Sequence, residues 1–270
     1  AADDKTVVRE YFNATGFDRW RRIYGEGEVN KVQLDIRQGH QQTIDTVIGW
    51  LKADGNLRGL SVCDAGCGVG SLSIPLAEAG AIVYGSDISE KMVQEAYQKS
   101  GPIFSKINNI TFVAQDLESL AGRYHTVICL DVLIHYPQDK AAEMIAHLCG
   151  LAESRLILSF APKTFALTLL KKIGELFPGP SKTTRAYQHR EADIIQMHPL
   201  LLLPPASSNS PIRWWRHYHS NKGICPLSML TRGHGVIGLS VPCEILMMPC
   251  PYSHLSQSRL EDGFWRTKDQ

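Results

Sequence analysis

The chain has 270 residues, 44% of them hydrophobic and 20% charged, with a formal net charge of +1 at pH 7. That composition suits an ordinary globular chain of one or two domains with a buried core, and excludes a disordered or coiled-coil protein. Near-neutral charge supplies no global field for nucleic acid or an anionic membrane, so no nucleic-acid partner is expected.

Seven cysteines are an odd number, and Cys63 and Cys67 flank a glycine-rich turn. They are expected to be reduced thiols of a cytosol-like compartment. No apolar run reaches the length of a membrane span: Leu200–Leu203 stops at Pro204-Pro205, and the run from Val127 to Ile134 is broken by Asp131. Asp3, Asp4 and Glu10 are unlike a secretory start, and too acidic for a transit peptide.

Residues 1–57 read as a polar helical cap. Val7, Val8, Tyr11 and Phe12 form one apolar stripe. A second helix is expected over 32–52, with Leu34, Ile44, Val47, Ile48 and Leu51 inward and Gly55 closing it. From 58 to 195 short apolar runs alternate with helical stretches. Strands are expected at 60–64, 82–87, 110–114, 126–130 and 155–160, and helices at 71–79, 90–99 and 140–150. Such alternation predicts an α/β parallel sheet with helices on both faces. Phe165, Leu169, Ile173 and Leu176 give 163–177 an amphipathic helical period, either packed on the sheet or forming a lid over an apolar ligand.

Asp64-Ala65-Gly66-Cys67-Gly68-Val69-Gly70 stands where the first strand passes into the first helix of the alternating region. Its glycines allow a tight turn and close approach of a ligand to the helix start. The spacing G-x-G-x-G lacks the register of dinucleotide binders, and an acidic residue just before the glycines opposes a pyrophosphate. A ligand bearing both an ammonium and a carboxylate fits better, with Asp64 near the ammonium. Asp87, 17 residues after Gly70, ends the second strand, where a carboxylate can accept from a ribose diol. Asp116 follows the third strand, placed to accept from an adenine amino group. The fourth strand ends in Asp131-Val132-Leu133-Ile134-His135-Tyr136-Pro137, facing the ligand crevice. Together these carboxylates describe S-adenosylmethionine and resemble the class I methyltransferase pattern. The expected cofactor-binding residues are Asp64, Gly66, Cys67, Gly68 and Gly70, then Asp87 with Ile88, Asp116 with Leu117, and Asp131.

The cap is more particular. Tyr11-Phe12-Asn13, Gly16-Phe17-Asp18-Arg19-Trp20, Ile23-Tyr24-Gly25 and the run from Val29 to His40 resemble the magnesium-protoporphyrin IX methyltransferase family. The resemblance continues through Asp64–Gly70, Asp131–Pro137 and Arg185–Asp193. It implies a Rossmann-like class I methyltransferase sheet with an N-terminal helical cap and an inserted arm after strand five, at about 161–190. It also implies methyl transfer from S-adenosylmethionine to one propionate of Mg-protoporphyrin IX, a step of chlorophyll biosynthesis. By the same resemblance Tyr24 and His135 lie at the catalytic site, and magnesium chelatase is a partner. The implied location is a cyanobacterial-type cytoplasm or the plastid stroma, with peripheral contact at the thylakoid membrane. A propionate, like a Glu side chain of pKa about 4.3, is already ionised near neutrality. Tyr24 and His135 are therefore expected to orient it, not to deprotonate it. Arg19, Arg21, Arg22 and Arg37 are cations available in the cap.

Past residue 195 the family pattern is lost. Eight of fourteen prolines fall there, no clear strand pair is legible, and 196–270 reads as a shifted reading frame or an unrelated replacement. On that reading strand five loses its pairing partners. The histidines and cysteines of this stretch lack zinc spacing, so no structural metal is expected. Two rivals remain: another small-molecule O- or N-methyltransferase, and a cofactor-binding scaffold without turnover.

Overall fold

The computed structural model describes residues 4–104, 108–160, 187, 215–216, 227–229 and 244–249. Three helices form the cap: α1 (Asp4–Asn13), α2 (Thr15–Ile23) and α3 (Lys31–Ala53). The alternating region follows as β1 (Ser61–Ala65), α4 (Ser73–Glu78), β2 (Ile82–Asp87), α5 (Glu90–Phe104), β3 (Ile110–Ala114), β4 (Tyr124–Cys129), α6 (Gln138–Leu151) and β5 (Ala152–Phe160). Short 3-10 turns at Leu117–Ser119 and Leu133–His135 leave the ends of β3 and β4.

The first five strands are parallel, in the order β3-β2-β1-β4-β5. This is the expected Rossmann-like class I sheet, reversing direction of travel between β1 and β4 so that a crevice opens at their carboxyl ends. Alternate residues of each strand point to opposite faces, and two cores result. Cys63, Val127, Cys129, Leu156 and Leu158 pack beneath α6 with Met144, Ile145 and Leu148. Val62, Ile128 and Ile157 pack on the other face with Ile44, Val47 and Leu51 of α3 and Leu76 of α4.

Strand five does have a partner. β8 (Glu244–Pro249) runs parallel to β5, pairing Arg155 with Glu244 through to Phe160 with Pro249. β7 (Leu227–Met229) pairs antiparallel with β8, and β6 (Trp215–Arg216) antiparallel with β7. The expectation of an open edge beside strand five is thus corrected. Ile245-Leu246-Met247-Met248 is an unbroken apolar run of the kind found in strands flanked on both sides, and Pro249 sits at the strand's last position, where a lost donor costs little.

The cap also departs from its sequence reading. Three helices stand where two stripes were legible, and Val7 and Leu34 are exposed at 39% each, whereas Val8 and Ile36 are buried. Asn30 starts α3 with a capping box, its Oδ1 accepting from Gln33 N at 2.9 Å while Gln33 Oε1 accepts from Asn30 N at 3.4 Å. Arg37 then reaches back to the end of α2. Its guanidinium donates to the carbonyls of Ile23 (2.7 Å), Arg22 (3.0 Å) and Gly27 (2.9 Å), which satisfies acceptors that a helix end leaves open. Arg37 is therefore the joint that fixes Tyr24 at the end of α2. The stretch 163–177, and with it the arm, lies outside the described residues.

Candidate functional site

The carboxyl ends of β1, β2 and β4 and the inner side of the cap enclose a cavity of about 770 Å³, open mouth included. Its base is the glycine turn. Gly66 N and Cys67 N both donate to Ser86 O at 2.8 Å, tying the turn to β2. Gly66 has φ +91, and a Cβ there would lie 2.1 Å from Val132 Cγ2, so only glycine lets β1 turn beneath the β4 loop. Gly68, at φ +52, has nothing within 4 Å of the same point: space has been left beside bare backbone.

Asp87 forms the adjoining wall. Its Oδ1 accepts from Ser89 N at 2.8 Å and its Oδ2 from Gly68 N at 3.0 Å, so one carboxylate couples the turn to the start of α5. Each oxygen keeps a lone pair for a further donor. Burial pushes Asp87 up to about 6, against the pull of the two N–H groups. Ile88, Met92 and Leu117 continue this wall as an apolar strip, and Val8 and Phe12 of α1 close over it.

Asp131 and His135 form the opposite wall. Asp131 takes φ 60, a left-handed conformation that side chains seldom adopt. Ser159 holds it there: Ser159 Oγ accepts from Asp131 N at 2.6 Å and donates to Asp131 Oδ1 at 3.0 Å. The second oxygen, Oδ2, is 3.2 Å from Nδ1 of His40 on α3. Tyr24 stacks on that imidazole, with ring centroids 4.2 Å apart. His135 sets its ring edge-on to Phe12 at 5.3 Å, and its buried Nδ1 has no hydrogen-bond partner. Burial lowers its pKa to about 4, with Asp131 pulling the other way, so the ring is neutral at physiological pH. The peptide N–H of Tyr187 donates to Ile134 O at 2.8 Å, in the loop that carries His135.

Gly66, Cys67, Gly68, Asp87, Ile88, Leu117, Asp131, Tyr24 and His135 thus all border one cavity, as the sequence reading brought them together. Three residues named beside them do not line it. Asp64 is buried behind the turn, its Oδ2 accepting from Ser73 Oγ at 2.5 Å. Burial raises its pKa to about 6, with the Ser73 hydrogen bond and His40 opposing and Asp87 reinforcing. Asp116 is turned to cap the 3-10 turn, accepting from Ser119 N at 2.9 Å, with Arg9 4.0 Å away. Gly70, φ +82, packs against Ile74 and Ala96. Hydroxyls nine and three residues away turned Asp64 and Asp116 from the cavity.

His40, Phe12, Trp20 and Ser159 were not singled out from sequence. His40 stands in the quoted cap motif, but its partner is 91 residues away. The one legible signal was its place in the family-like run from Val29 to His40.

Comparison with known proteins bears directly on this geometry. The family described as "Magnesium-protoporphyrin IX methyltransferase C-terminus" matches residues 129–201, and a general "Methyltransferase domain" matches residues 62–153. The chain is 73% identical over 194 residues to the magnesium-protoporphyrin O-methyltransferase of Synechocystis, covering 72% of this chain and 84% of that protein. It is 64% identical over 192 residues to the chloroplastic magnesium protoporphyrin IX methyltransferase of Arabidopsis thaliana, covering 71% of this chain and 62% of the other. A crystal structure of the Synechocystis magnesium protoporphyrin IX methyltransferase with bound S-adenosylhomocysteine superposes at TM-score 0.67 with 70% identity, over 72% of this chain and 86% of that one. A second, with S-adenosylmethionine bound, gives 0.64 and 54%, over 86% and 93%. Identity of this degree, over most of the relative's length, leaves one conclusion: the chain belongs to the magnesium-protoporphyrin IX methyltransferase family.

Proposed function

We propose that the protein transfers a methyl group from S-adenosylmethionine to a propionate carboxylate of Mg-protoporphyrin IX, giving the monomethyl ester. The observation that carries this reading is the pairing of a buried nucleoside-sized wall with two imidazoles facing it from the cap and the β4 loop. The relatives named above are described as acting on this porphyrin and, in crystals, as binding this cofactor and its demethylated product.

The residues present fit the cofactor. The bare backbone at Gly68 leaves room for a ligand, Asp87 retains acceptor capacity for a diol, and Ile88, Met92 and Leu117 offer a flat apolar bed for a base. S-Adenosylmethionine, when bound, supplies a methyl on a cationic sulfur, which keeps the C–S electron pair as a nucleophile's oxygen takes the methyl. No proton moves in that exchange, because the acceptor is already a carboxylate. The protein's part is to remove water from the carboxylate and hold it in line. Positioning of this kind supplies roughly 7–11 kcal/mol in favourable cases. Phe12, Trp20 and Tyr24 exclude water from above, and His135, neutral and with an open Nδ1, orients a carboxylate oxygen.

Incubation with labelled S-adenosylmethionine and Mg-protoporphyrin IX, followed by chromatography, tests the assignment: labelled monomethyl ester is expected. A folded, cofactor-binding sample that forms none would favour a scaffold. Replacement of His135 separates orientation from base catalysis. His135→Asn keeps an amide where the open Nδ1 stands and is expected to retain activity within roughly 10-fold, while His135→Ala loses roughly 100-fold or more in kcat/KM. Equal loss in both would sink the orienting role.

The carboxyl of Asp87 also predicts a pH linkage. Its folded pKa of about 6 lies above the usual Asp value, so its stabilising proton is fully held below about pH 4 and that stability is lost as pH rises through 6. His135 acts oppositely: its pKa near 4 lies below the usual value, and its contribution is present above about pH 6.5 and lost as pH falls toward 4. The two offset each other in the free protein. Ribose hydroxyls donating to Asp87 favour its charged form, so S-adenosylhomocysteine is expected to bind more tightly as pH rises from 5 to 7. Titration calorimetry at pH 6 in buffers of different ionisation enthalpy should show release of roughly half a proton. Proton uptake would contradict the role given to Asp87.

We further infer a plastid stroma or cyanobacterial-type cytoplasm, peripheral membrane contact and magnesium chelatase as partner. A plant relative described as chloroplastic supports the first of these, and no described helix is long and apolar enough to cross a membrane. We also read 1–57 as cap, 58–195 as the cofactor-binding core and 196–270 as a replaced or frame-shifted segment; the coding nucleotides test the last.

A further inference from the structure

An anionic acceptor needs a cation, and Arg37, Arg21 and Arg19 of the cap are engaged elsewhere. Arg37 is bonded to the carbonyls at the end of α2, Arg21 lies 3.9 Å from Glu95 and over the Phe17 ring, and Arg19 lies over the Trp20 ring. Among the described residues no lysine or arginine lines the cavity; its basic groups are the two imidazoles. Burial keeps His135 neutral. His40 has a different setting. Its Nδ1 is 3.2 Å from Asp131 Oδ2, Asp131 is itself fixed by Ser159, and Tyr24 is stacked on the ring face.

We propose that His40, beside His135, also binds the acceptor's carboxylate, its Nε2–H donating to a carboxylate oxygen while Asp131 holds Nδ1. This rests on the acceptor assigned above. With Nδ1 donating to Asp131, Nε2 is the ring's remaining polar atom, and the hydrogen bond at one nitrogen sets what the other can offer. A carboxylate arriving at Nε2 places the ring between two carboxylates, with one ring nitrogen donating to each. The titratable groups around His40 among the described residues are Asp131, the Tyr24 phenol and, at longer range, the buried carboxyl of Asp64. Methylation converts the bound carboxylate to a neutral ester. The ester offers His40 only a neutral acceptor, and the product is held less tightly than the substrate. His40 thereby selects a carboxylate over neutral acceptors and favours release of the ester.

Two amide replacements separate this role from that of a prop for Asp131. Asn places its amide where Nδ1 stood and keeps the Asp131 contact; Gln places it near Nε2 and keeps the acceptor contact. Fluorescence titration of the full chain with Mg-protoporphyrin IX is expected to show Kd raised at least 10-fold in His40→Asn and largely recovered in His40→Gln. Affinity for the dimethyl ester of the same porphyrin should be unchanged in both. In turnover the Asn variant should show the loss chiefly in KM, and heat of S-adenosylhomocysteine binding within a few-fold of wild type confirms that each variant is folded. Equal loss for the free acid and the dimethyl ester, or recovery by Asn but not Gln, overturns the proposal and leaves His40 as support for Asp131. A wild type that binds neither porphyrin overturns the acceptor itself, and this inference with it.

Discussion

Replacing Gly66 with alanine is expected to destabilise the protein and abolish binding of S-adenosylhomocysteine. A left-handed side chain costs about 1–2 kcal/mol, and φ +91 at Gly66 imposes that cost. The added Cβ also meets Val132 Cγ2 at 2.1 Å. Overpacking of that kind costs typically 1–3 kcal/mol, because the β4 loop must shift, and with it Asp131 and His135. Together these predict a fall in the thermal midpoint of roughly 5–15 °C. Gly68→Ala is the informative contrast. Its Cβ has no neighbour within 4 Å and enters the ligand's space, so at φ +52 it should carry the backbone cost alone, lowering the midpoint by less than Gly66→Ala while weakening the ligand. Gly66→Ala with Val132→Ala removes the clash but not the backbone cost, and should recover part of the lost stability. Thermal unfolding with and without S-adenosylhomocysteine reads all three. A single Gly66→Ala variant that unfolds like wild type would show that the turn is not under the constraint described.

The second large effect falls on Asp87. Asp87→Asn keeps the shape but not the acceptors: the amide can receive from Ser89 N or from Gly68 N, not both. One N–H then faces an NH2 group, and a buried donor left unmet costs about 1–3 kcal/mol. The ligand's hydroxyls also lose an anionic acceptor. S-Adenosylhomocysteine affinity is expected to fall roughly 100-fold, about 2.7 kcal/mol. The proton released by the wild type at pH 6 should no longer appear. Retained affinity with the proton release intact would assign the linkage to Asp64, whose carboxyl is also raised to about 6 but is out of the cavity's reach.

Several elements were legible because they depend on neighbours along the chain. The runs at 82–87 and 110–114 match β2 and β3 residue for residue, each being a short apolar stretch bounded by turn formers. The glycine turn was legible because few other residues tolerate its conformations. The cap was harder to read. Leu34 has the period of an inward residue, yet α3 is held by its capping box and by Arg37, and their geometry leaves Leu34 outward and Ile36 inward. The prolines of 196–270 hid β8, because a proline at a strand's last position breaks nothing that the strand uses.

The alternation of strands and helices from β1 to β5, the glycine turn and the residue types around it were thus determined by the sequence alone, since backbone preference and side-chain period are local quantities. Ser119, three residues on, drew Asp116 aside locally, but which of Asp64 and Asp131 faces the ligand was decided only by tertiary structure. Ser73 turned Asp64 inward, and Ser159 from β5 together with His40 from the cap set Asp131 at the cavity wall. Pairing and burial depend on groups brought together from distant positions, and they set both where a charge points and whether it is a charge at all.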